Sequence, residues 1–440
     1  MKIFWSALFS LLWLGCDLTS SKPPIAEENA KLGQLELEFN HLILTRMHLY
    51  FTEVEPLSSY RGHGNPIDGA YADVSYMYSS LTDRFTRYFP PDQATEILSM
   101  YLGSDDQMAL IGVMLATLED TLVVDKVVPG SPAELSGIQE GDHIVEVDSI
   151  NVTGPNISKY ETLTAGGAGT AFKLTVLRNG VLLEFSVAKK VIVVPTVWLD
   201  QVDSIPVIQV DFFAASEDGK NNGTASEFTD ALARAGAFTV AIIDLRGNPG
   251  GSVDECTAMT DALLDTGVIV YSIDRVWDEK LHISYFDSTD ILPVTANSPY
   301  ENRRYVFLQD KGSASCSEIM LAGVKRNTDW PIVGEQSYGK GIAQQLIYPT
   351  YAKGLAVVTT TEFRDGDWNN YHHIGIVPDY AVTDPDSALA MAVTLAKGTD
   401  SPVALARSSA QVIMNQESIA RINFRLTHRP ARPNGAWIRK

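Results

Sequence analysis

The stretch KGSASCSEIM, residues 311 to 320, contains three serines and one cysteine within five consecutive positions. Ser315 followed by Glu318 matches a capping box, which would make this serine an ordinary helix N-cap. A serine can instead be a nucleophile if a neighbouring base accepts its proton. The nearest histidines in the sequence are His282 and His372, so a base other than histidine has to be considered.

Lys340 is the candidate base, because it lies between two glycines in the stretch SYGKGIAQ, 25 residues after Ser315. A lysine acts as a general base only when removal from water leaves its amine neutral. Serine–lysine pairs are a known variant of the serine–histidine arrangement. Gln344 follows four residues later and can orient the amine by a hydrogen bond. A Ser-His-Asp triad that uses His372 is the alternative.

The stretch DLRGNPGG, residues 244 to 251, supplies candidate donors for an oxyanion. Consecutive glycines before a helix expose backbone amides, and such amides stabilise developing negative charge. By themselves, however, the residues GNPGG form a simple turn more often than a catalytic loop. Cys316 is a poor nucleophile, since no histidine is near it in sequence. The three cysteines, Cys16, Cys256 and Cys316, indicate neither a disulfide framework nor a CxxC metal site.

Strands and helices that alternate along the chain must position these residues. Between about 200 and 385 we predict strands at PVIQVDFFA, FTVAIIDLRG, VIVYSIDR and RRYVFLQD, and helices at TASEFTDALARAG and SVDECTAMTDALLDTG. Strand–helix alternation favours an α/β core with a largely parallel sheet. Residues from about 27 to 100 repeat apolar positions at three- and four-residue steps, which predicts helices.

Residues 103–190 have a different pattern, with short apolar strands separated by glycine and proline. The stretch TLVVDKVVPGSPAELSGIQEGDHIVEVDSINVTG resembles a PDZ domain. In that family a peptide adds as a strand, and loop amides bind its terminal carboxylate. The resemblance places the loop at Leu110, Ile111, Gly112 and Val113, although Leu110 stands where glycine is common. A small β-domain used only for packing is the alternative.

The amino terminus is typical of an export signal. Lys2 precedes the apolar run IFWSALFSLLWLG, which ends at Cys16 and is too short to span a bilayer as a mature helix. Gly15-Cys16 resembles the lipobox of bacterial lipoproteins, which predicts that Cys16 is lipidated, although Trp13 is unusual there. An ordinary signal peptide is the alternative.

Composition and charge exclude several other classes of function. The 440-residue chain has a formal net charge of −20, which argues against a nucleic-acid partner because phosphate binding needs a basic surface. The sequence contains no GxxxxGK[ST], GxGxxG or HExxH motif. The last forty residues are nevertheless basic, with six arginines and one lysine against one glutamate.

In order along the chain, DLRGNPGG, GSASCSEI, SYGKGIAQ and GIVPD follow the PDZ-like region. This combination resembles the carboxyl-terminal processing peptidases, PDZ-containing tail-specific serine proteases of bacteria and plastids. LTDRFTRYFPP also resembles the DPYTRYLPP segment of that family. The resemblance covers about residues 70 to 385. It implies an α/β fold: a mixed-sheet core like the ClpP/crotonase fold, with an inserted PDZ domain and an N-terminal helical region.

The resemblance also implies a role for each site residue. Ser315 would be the nucleophile, Lys340 the base and Gln344 its support. The oxyanion would be bound by the amide of Cys316, where the family usually has alanine, and by an amide of Gly250 or Gly251. Gly247 departs from the family, which commonly has asparagine there.

We therefore predict five segments: a lipoprotein signal (1–16), a tether and helical region (17–102), a PDZ domain (103–190), a peptidase core (191–385) and a C-terminal helix with a basic tail (386–440). The predicted protein is a serine endopeptidase of the bacterial cell envelope, lipid-anchored to the membrane, that cleaves protein substrates with free C-termini and needs no cofactor. A non-catalytic PDZ scaffold is the alternative.

Overall fold

The structure is a computed structural model and describes residues 25–63, 71–102, 109–118, 120–216, 223–291, 298–301 and 303–398. The predicted signal with Cys16, the tether and the basic tail beyond residue 398 lie outside the described residues. Among the helices within those ranges, none combines the length and the apolar character that a membrane span requires.

The secondary structure falls into three consecutive groups. The N-terminal group contains α1 (Ile25–Met47), α2 (Ala72–Ser79), β1 (Arg87–Phe89) and α3 (Pro91–Leu102). The second group contains β2 (Ala109–Leu110), β3 (Val113–Leu118), β4 (Thr121–Val127), α4 (Pro132–Ser136), β5 (His143–Val147), β6 (Ile150–Asn151), α5 (Lys159–Leu163), β7 (Ala171–Arg178), β8 (Val181–Ala188) and β9 (Lys190–Val191).

The third group contains β10 (Val197–Val202), β11 (Ile205–Val210), α6 (Thr224–Arg234), β12 (Val240–Asp244), α7 (Val253–Leu263), β13 (Val270–Asp278), β14 (Ile283–Ile291), β15 (Arg304–Gln309), α8 (Cys316–Asn327), β16 (Ile332–Gly334), β17 (Ile342–Ile347), β18 (Leu355–Arg364), β19 (Tyr380–Ala381) and α9 (Pro385–Ala396).

The sheet β10-β11-β12-β15-β16-β19 forms the centre of the third group. Every neighbouring pair from β11 to β19 is parallel, and only β10 pairs antiparallel to β11. One apolar cluster covers the face that packs on α6, α7 and α8, and another covers the face that packs on α9. The prediction of an α/β core with a largely parallel sheet is confirmed.

A second sheet, β1-β18-β13-β14 with β17 paired to β18, is antiparallel throughout. We predicted VIVYSIDR as a strand, and β13 confirms this, but β13 belongs to the antiparallel sheet and not to the parallel one. Residues 279–282 connect β13 directly to β14 as a hairpin, so β13 pairs with β14 and β18. Local sequence predicts that a segment is a strand, whereas its partner strand depends on distant residues.

The N-terminal group packs against this second sheet. Its predicted helices are present, and the structure adds β1, in which Tyr88 pairs with Ala356 of β18. Tyr60, Met77 and Tyr88 share an apolar cluster with Ala356 and Val358. The end of α1 is also attached to β18, since the Leu49 amide donates to the Thr359 carbonyl (2.8 Å). The segment before residue 90 therefore forms one wall of the sheet that carries β17.

The middle group is a compact β-domain with strand order β3-β4-β5-β7-β8. Its core contains Ile111, Ile144 and Leu174, all nearly inaccessible to solvent. β3 lies at the edge of this sheet among the described strands. Lys126 of β4 reaches the third group, where its amine forms a buried ion pair with Asp211 (3.2 Å) over the ring of Trp198.

Candidate active site

Ser315 lies at the start of α8, where the chain turns out of the loop that follows β15. Its backbone has φ +56° and ψ −112°, a conformation that L-residues rarely adopt and that occurs mostly at functional sites. Gly250 packs directly on it, because a Cβ at residue 250 would lie 2.8 Å from the Ser315 Cβ and 3.0 Å from the Cys316 amide nitrogen. The tertiary structure therefore holds this serine in a strained turn.

The two neighbouring serines are engaged elsewhere. The Ser313 hydroxyl donates to the Leu245 carbonyl (2.9 Å), and the Ser317 hydroxyl donates to the Asn248 carbonyl (2.9 Å). Both contacts tie the serine loop to the loop that follows β12. Of the three serines, Ser315 is thus the one whose position is suited to chemistry.

Glu318 joins the serine segment to the lysine segment. One carboxylate oxygen accepts the backbone amides of Ser315 (2.9 Å) and Lys340 (2.7 Å). The other accepts the Ser337 hydroxyl and the Gly339 amide, both at 2.6 Å. Burial raises the pKa of Glu318, and these four donors oppose that rise. The carboxylate therefore holds the backbones of Ser315 and Lys340 close together.

Lys340 lies in the turn before β17 and is only 1% exposed. The flanking glycines allow close packing: a Cβ at Gly339 would meet the Ile374 amide at 2.9 Å, and one at Gly341 would meet the His372 amide at 3.1 Å. The amine lies 5.2 Å from the centre of the Phe85 ring. Burial lowers the pKa of Lys340 to about 7, although the charges of Asp83 and Glu318 oppose the shift.

Gln344 is the hydrogen-bond partner of the lysine amine. The Lys340 amine donates to the Gln344 side-chain oxygen (3.0 Å), and the Gln344 amide nitrogen donates to the Thr359 hydroxyl (3.2 Å). A bulge between Ala343 and Gln344 shifts the register of β17 at this point. The amine and the Ser315 hydroxyl are not hydrogen-bonded to each other in this structure; such contacts often tighten only when substrate binds.

The oxyanion candidates lie beside the serine. The Cys316 amide is the first of α8, so it has no acceptor within the helix. The Gly250 amide donates to the Asn248 side chain (2.8 Å). Among the described residues the Gly251 amide has no hydrogen-bond acceptor. On either side of it, the Gly250 carbonyl accepts the Phe213 amide and the Ser252 amide donates to the Phe213 carbonyl. Gly251 and Cys316 are therefore better placed than Gly250 to bind an oxyanion.

A disulfide joins Cys256 of α7 to Cys316, with the two Cα atoms 5.7 Å apart, a usual separation for such a bond. We did not expect it, because 60 residues separate the two cysteines and nothing local in the sequence brings them together. The bond links the helices that follow the two candidate oxyanion segments. It also removes Cys316 as a nucleophile.

His372 lies close to Lys340 but lacks the surroundings of a catalytic base. It occupies a turn and not the strand we considered, and its ring lies against that of His373, with the ring centres 3.8 Å apart and the planes tilted by 37°. Burial is the main cause that lowers the pKa of His372 to about 4. Its Nδ1 atom is buried without a hydrogen-bond partner among the described residues, so the carboxylate of a Ser-His-Asp triad is missing.

The predicted carboxylate-binding loop precedes β3. Leu110 ends β2 and Val113 begins β3, and both are partly exposed. Ile111 is 5% exposed and belongs to the core of the β-domain, so it does not line a groove. Gly112 has φ +88° and packs on Ser131. The two partly exposed positions flank the open edge of β3.

Comparisons with known proteins agree with this architecture. Residues 204–382 match peptidase family S41, and residues 109–188 match the PDZ domain. The chain is 29% identical over 330 residues to the carboxy-terminal processing protease CtpA of Bacillus subtilis (strain 168), an alignment that covers 73% of this chain and 65% of that protein.

It is 27% identical over 401 residues to the carboxyl-terminal-processing protease of Synechocystis sp. (strain ATCC 27184 / PCC 6803 / Kazusa), covering 87% and 88% of the two chains. The crystal structure of a candidate S41 protease from Bacteroides fragilis aligns with a TM-score of 0.57 at 14% identity, covering 88% of this chain and 100% of that one. This last likeness concerns the fold alone.

Proposed function

Because this chain carries a family S41 peptidase domain behind a PDZ domain, we propose that it is a serine endopeptidase whose nucleophile is Ser315 and whose base is Lys340. The observation that carries the proposal is the arrangement around Glu318, which holds a strained serine close to a fully buried lysine. A protein that only binds partners gains nothing from burying an amine at this cost in solvation.

The reaction begins when the neutral Lys340 amine accepts the Ser315 hydroxyl proton and the oxygen attacks a peptide carbonyl carbon. The amides of Cys316 and Gly251 stabilise the oxyanion that forms. As the C–N bond breaks, the protonated amine gives its proton to the leaving nitrogen, and an acyl-enzyme remains. Water then attacks the ester while Lys340 accepts its proton, and the Ser315 hydroxyl is regenerated.

Hydrolysis of a disordered protein tests the proposal. We expect the wild-type chain to cleave it, and the Ser315→Ala variant to be inactive while remaining folded. Ser317→Ala is the matched control, because it removes a hydroxyl two residues away that bonds to a backbone carbonyl. If Ser315→Ala cleaved as fast as wild type, or if wild type cleaved nothing, the non-catalytic scaffold would be the better description.

The pH dependence separates lysine from histidine as the base. The pKa of Lys340 is about 7, and only the neutral amine accepts a proton, so kcat/KM should rise as pH increases through about 7. Lys340→Arg should be inactive, because a guanidinium stays protonated. A histidine base with the pKa of His372, about 4, would put the rise near pH 4, and His372→Ala would then stop cleavage.

We propose that the PDZ domain selects substrates by a free, apolar C-terminus that adds as a strand along β3. The open edge of β3 and the partly exposed side chains of Leu110 and Val113 support this. A peptide amidated at its C-terminus should bind the whole protein (Ser315→Ala) more weakly than the same peptide with a free carboxylate. Equal affinities would mean that the loop does not bind the carboxylate.

We also propose that the protein is exported to the bacterial cell envelope and anchored by a lipid on Cys16. The support is the short apolar run that ends in Gly15-Cys16. Intact-mass measurement of the protein from membrane extracts should give a mature chain that begins at a modified Cys16. An unmodified mature chain in the soluble fraction would contradict the anchor without affecting the proposed catalysis.

A further inference from the structure

A tyrosine side chain emerges where the serine and lysine segments meet. The Tyr338 amide donates to the Ser313 carbonyl (3.0 Å), and the amides of the next two residues are bound by the Glu318 carboxylate. These contacts fix the Tyr338 backbone beside the two segments that carry the candidate nucleophile and the candidate base. Tyr338 is nevertheless 45% exposed, so its side chain leaves this junction toward solvent.

Arg84 contacts this tyrosine from the turn before β1. Its guanidinium donates a hydrogen bond to the Tyr338 hydroxyl and lies 5.0 Å from the centre of the Phe85 ring. The Lys340 amine lies 5.2 Å from the same ring centre. The guanidinium carbon is therefore within about 10 Å of the amine, a distance that an extended chain spans in about three residues.

The positive charge of Arg84 faces solvent. Arg84 is exposed, and within the ranges that the structure describes no carboxylate forms an ion pair with it. Arg61, another exposed arginine, lies 3.1 Å from a carboxylate oxygen of Glu38. Asp83 is adjacent to Arg84 in sequence, but its carboxylate is buried and accepts the Thr86 hydroxyl (2.7 Å). The Arg84 charge is thus available to a ligand.

Arg84 and Tyr338 together offer two kinds of donor to such a ligand. The Tyr338 oxygen accepts from Arg84, so its hydroxyl hydrogen remains to be donated, and no described residue accepts it. A guanidinium carries five N–H groups in a planar fork that matches the geometry of a carboxylate. A carboxylate bound here would accept from both side chains, and hydrogen bonds to charged groups are the stronger kind.

We propose that Arg84 and Tyr338 bind a carboxylate of the polypeptide substrate, so that the enzyme prefers an aspartate or glutamate side chain within about three residues of the cleaved bond. This inference rests on the proposed function and names a substrate class for the same site. The family segment DPYTRYLPP has proline at the position of Arg84, so the resemblance assigns this residue no role. The protein as a whole, with a net charge of −20, repels acidic chains, and this pair provides a local attraction.

A positional scan of one peptide tests the preference. A peptide that the full-length protein cleaves is chosen, its cleaved bond is located by mass spectrometry, and each of the three positions on either side is changed in turn to Glu or to Gln. At one position we expect kcat/KM to be about three- to tenfold higher for Glu than for Gln. This ratio should approach one at about 1 M salt, because salt screens exposed charges.

Variants of the two residues should change this Glu/Gln ratio. Arg84→Gln removes the charge and should bring the ratio close to one, and Arg84→Glu should bring it below one by repulsion. Tyr338→Phe keeps the ring without the hydroxyl and should lower the ratio about twofold. A merely structural defect would slow both peptides alike and leave the ratio unchanged. Arg61→Gln removes a surface guanidinium that pairs with Glu38, and it should keep the wild-type ratio.

The bound carboxylate has two possible sources, the side chain and the free C-terminus of the peptide. Each peptide is therefore also measured with an amidated C-terminus. The side-chain proposal expects the Glu/Gln ratio to survive amidation. If amidation slows wild type but not Arg84→Gln, while the Glu/Gln ratio is one at every position, Arg84 binds the terminal carboxylate and the side-chain preference is overturned.

The other failures are also distinguishable. A Glu/Gln ratio near one at all six positions in wild type, with Ser315→Ala inactive, would overturn the preference and leave the proposed function intact. An unchanged ratio in Arg84→Gln would overturn it as well, and this variant decides the question if Arg84→Glu fails to fold by circular dichroism. Absence of Ser315-dependent hydrolysis in wild type would mean that the proposed function is wrong, and this inference with it.

Discussion

Two serines of this protein share one local sequence pattern but differ in backbone conformation and in their surroundings. Ser131 in the PDZ domain and Ser315 in the peptidase core each begin a helix and are each followed three residues later by a glutamate. Ser131 has an ordinary extended backbone (φ −72°), and its hydroxyl accepts the Glu134 amide (3.3 Å). Ser315 has φ +56°. Ser315 and Glu318 also form a capping box. The same four-residue pattern therefore caps a helix in both domains and, in the second, also positions a candidate nucleophile.

The two glutamates show why. Glu134 accepts one nearby backbone amide, that of Gly130, and lies at the surface. Glu318 is fully buried and accepts donors from the serine segment and from residues 337 to 340. A capping box satisfies the amides of its own helix, whereas the Glu318 carboxylate also connects two distant segments. The difference lies in the tertiary surroundings and not in the pattern.

Replacing each serine by alanine should separate the two roles most clearly. Ser315→Ala should lower turnover by at least about a thousandfold, because the proposed nucleophile is lost. Ser131→Ala should leave turnover nearly unchanged and lower the free energy of unfolding by about 1 kcal/mol, the usual effect of losing an N-cap. Peptidase assays and urea unfolding of the two variants check these expectations. A large loss of turnover in Ser131→Ala would show that the two serines do not have separate roles.

Replacing each glutamate by glutamine should give the next largest contrast. In Glu318→Gln, an NH2 group would face amide donors, so turnover should fall and the free energy of unfolding should drop by about 1–3 kcal/mol. Glu134→Gln should change stability by less than about 0.5 kcal/mol, since its site is exposed. If Glu318→Gln were as harmless as Glu134→Gln, the buried carboxylate would not be holding the two segments together.

Replacing a glycine near each serine should show a smaller difference. An alanine Cβ at Gly250 would lie 2.8 Å from the Ser315 Cβ and 2.9 Å from the Ala314 carbonyl oxygen, whereas one at Gly130 meets nothing within 4 Å. Both glycines have positive φ, so each alanine costs about 1–2 kcal/mol of stability. Only Gly250→Ala should also lower kcat. Equal kcat in the two variants would show that the close approach to Ser315 is unimportant.

Removing the disulfide should have the smallest effect on catalysis. Cys316→Ala keeps the backbone amide, so kcat should change less than about threefold, while loss of the cross-link lowers the free energy of unfolding by about 2–4 kcal/mol. Cys256→Ala should give the same stability loss. A large loss of kcat in both variants would show that the bond helps to position the oxyanion donors.

Much of the architecture could be predicted from the sequence because it depends on local patterns. The strand–helix alternation after residue 200 and the helices before residue 102 follow from hydrophobic periodicity. The motifs around Ser315, Lys340 and Gly250 could be found because a nucleophile, a base and an amide-rich loop each need particular residue types. Pairing was harder to predict: nothing near VIVYSIDR indicates an antiparallel partner, and nothing near Cys256 indicates Cys316.

What the sequence determined by itself is the set of elements and the identity of the candidate residues, since periodicity and residue chemistry act over a few positions. What only the tertiary structure decided is their state: that Glu318 joins two segments and that Lys340 is removed from water. The physical reason is that burial and charge depend on everything within several ångströms. At Lys340 those neighbours come from segments as far apart in sequence as residues 83 and 372.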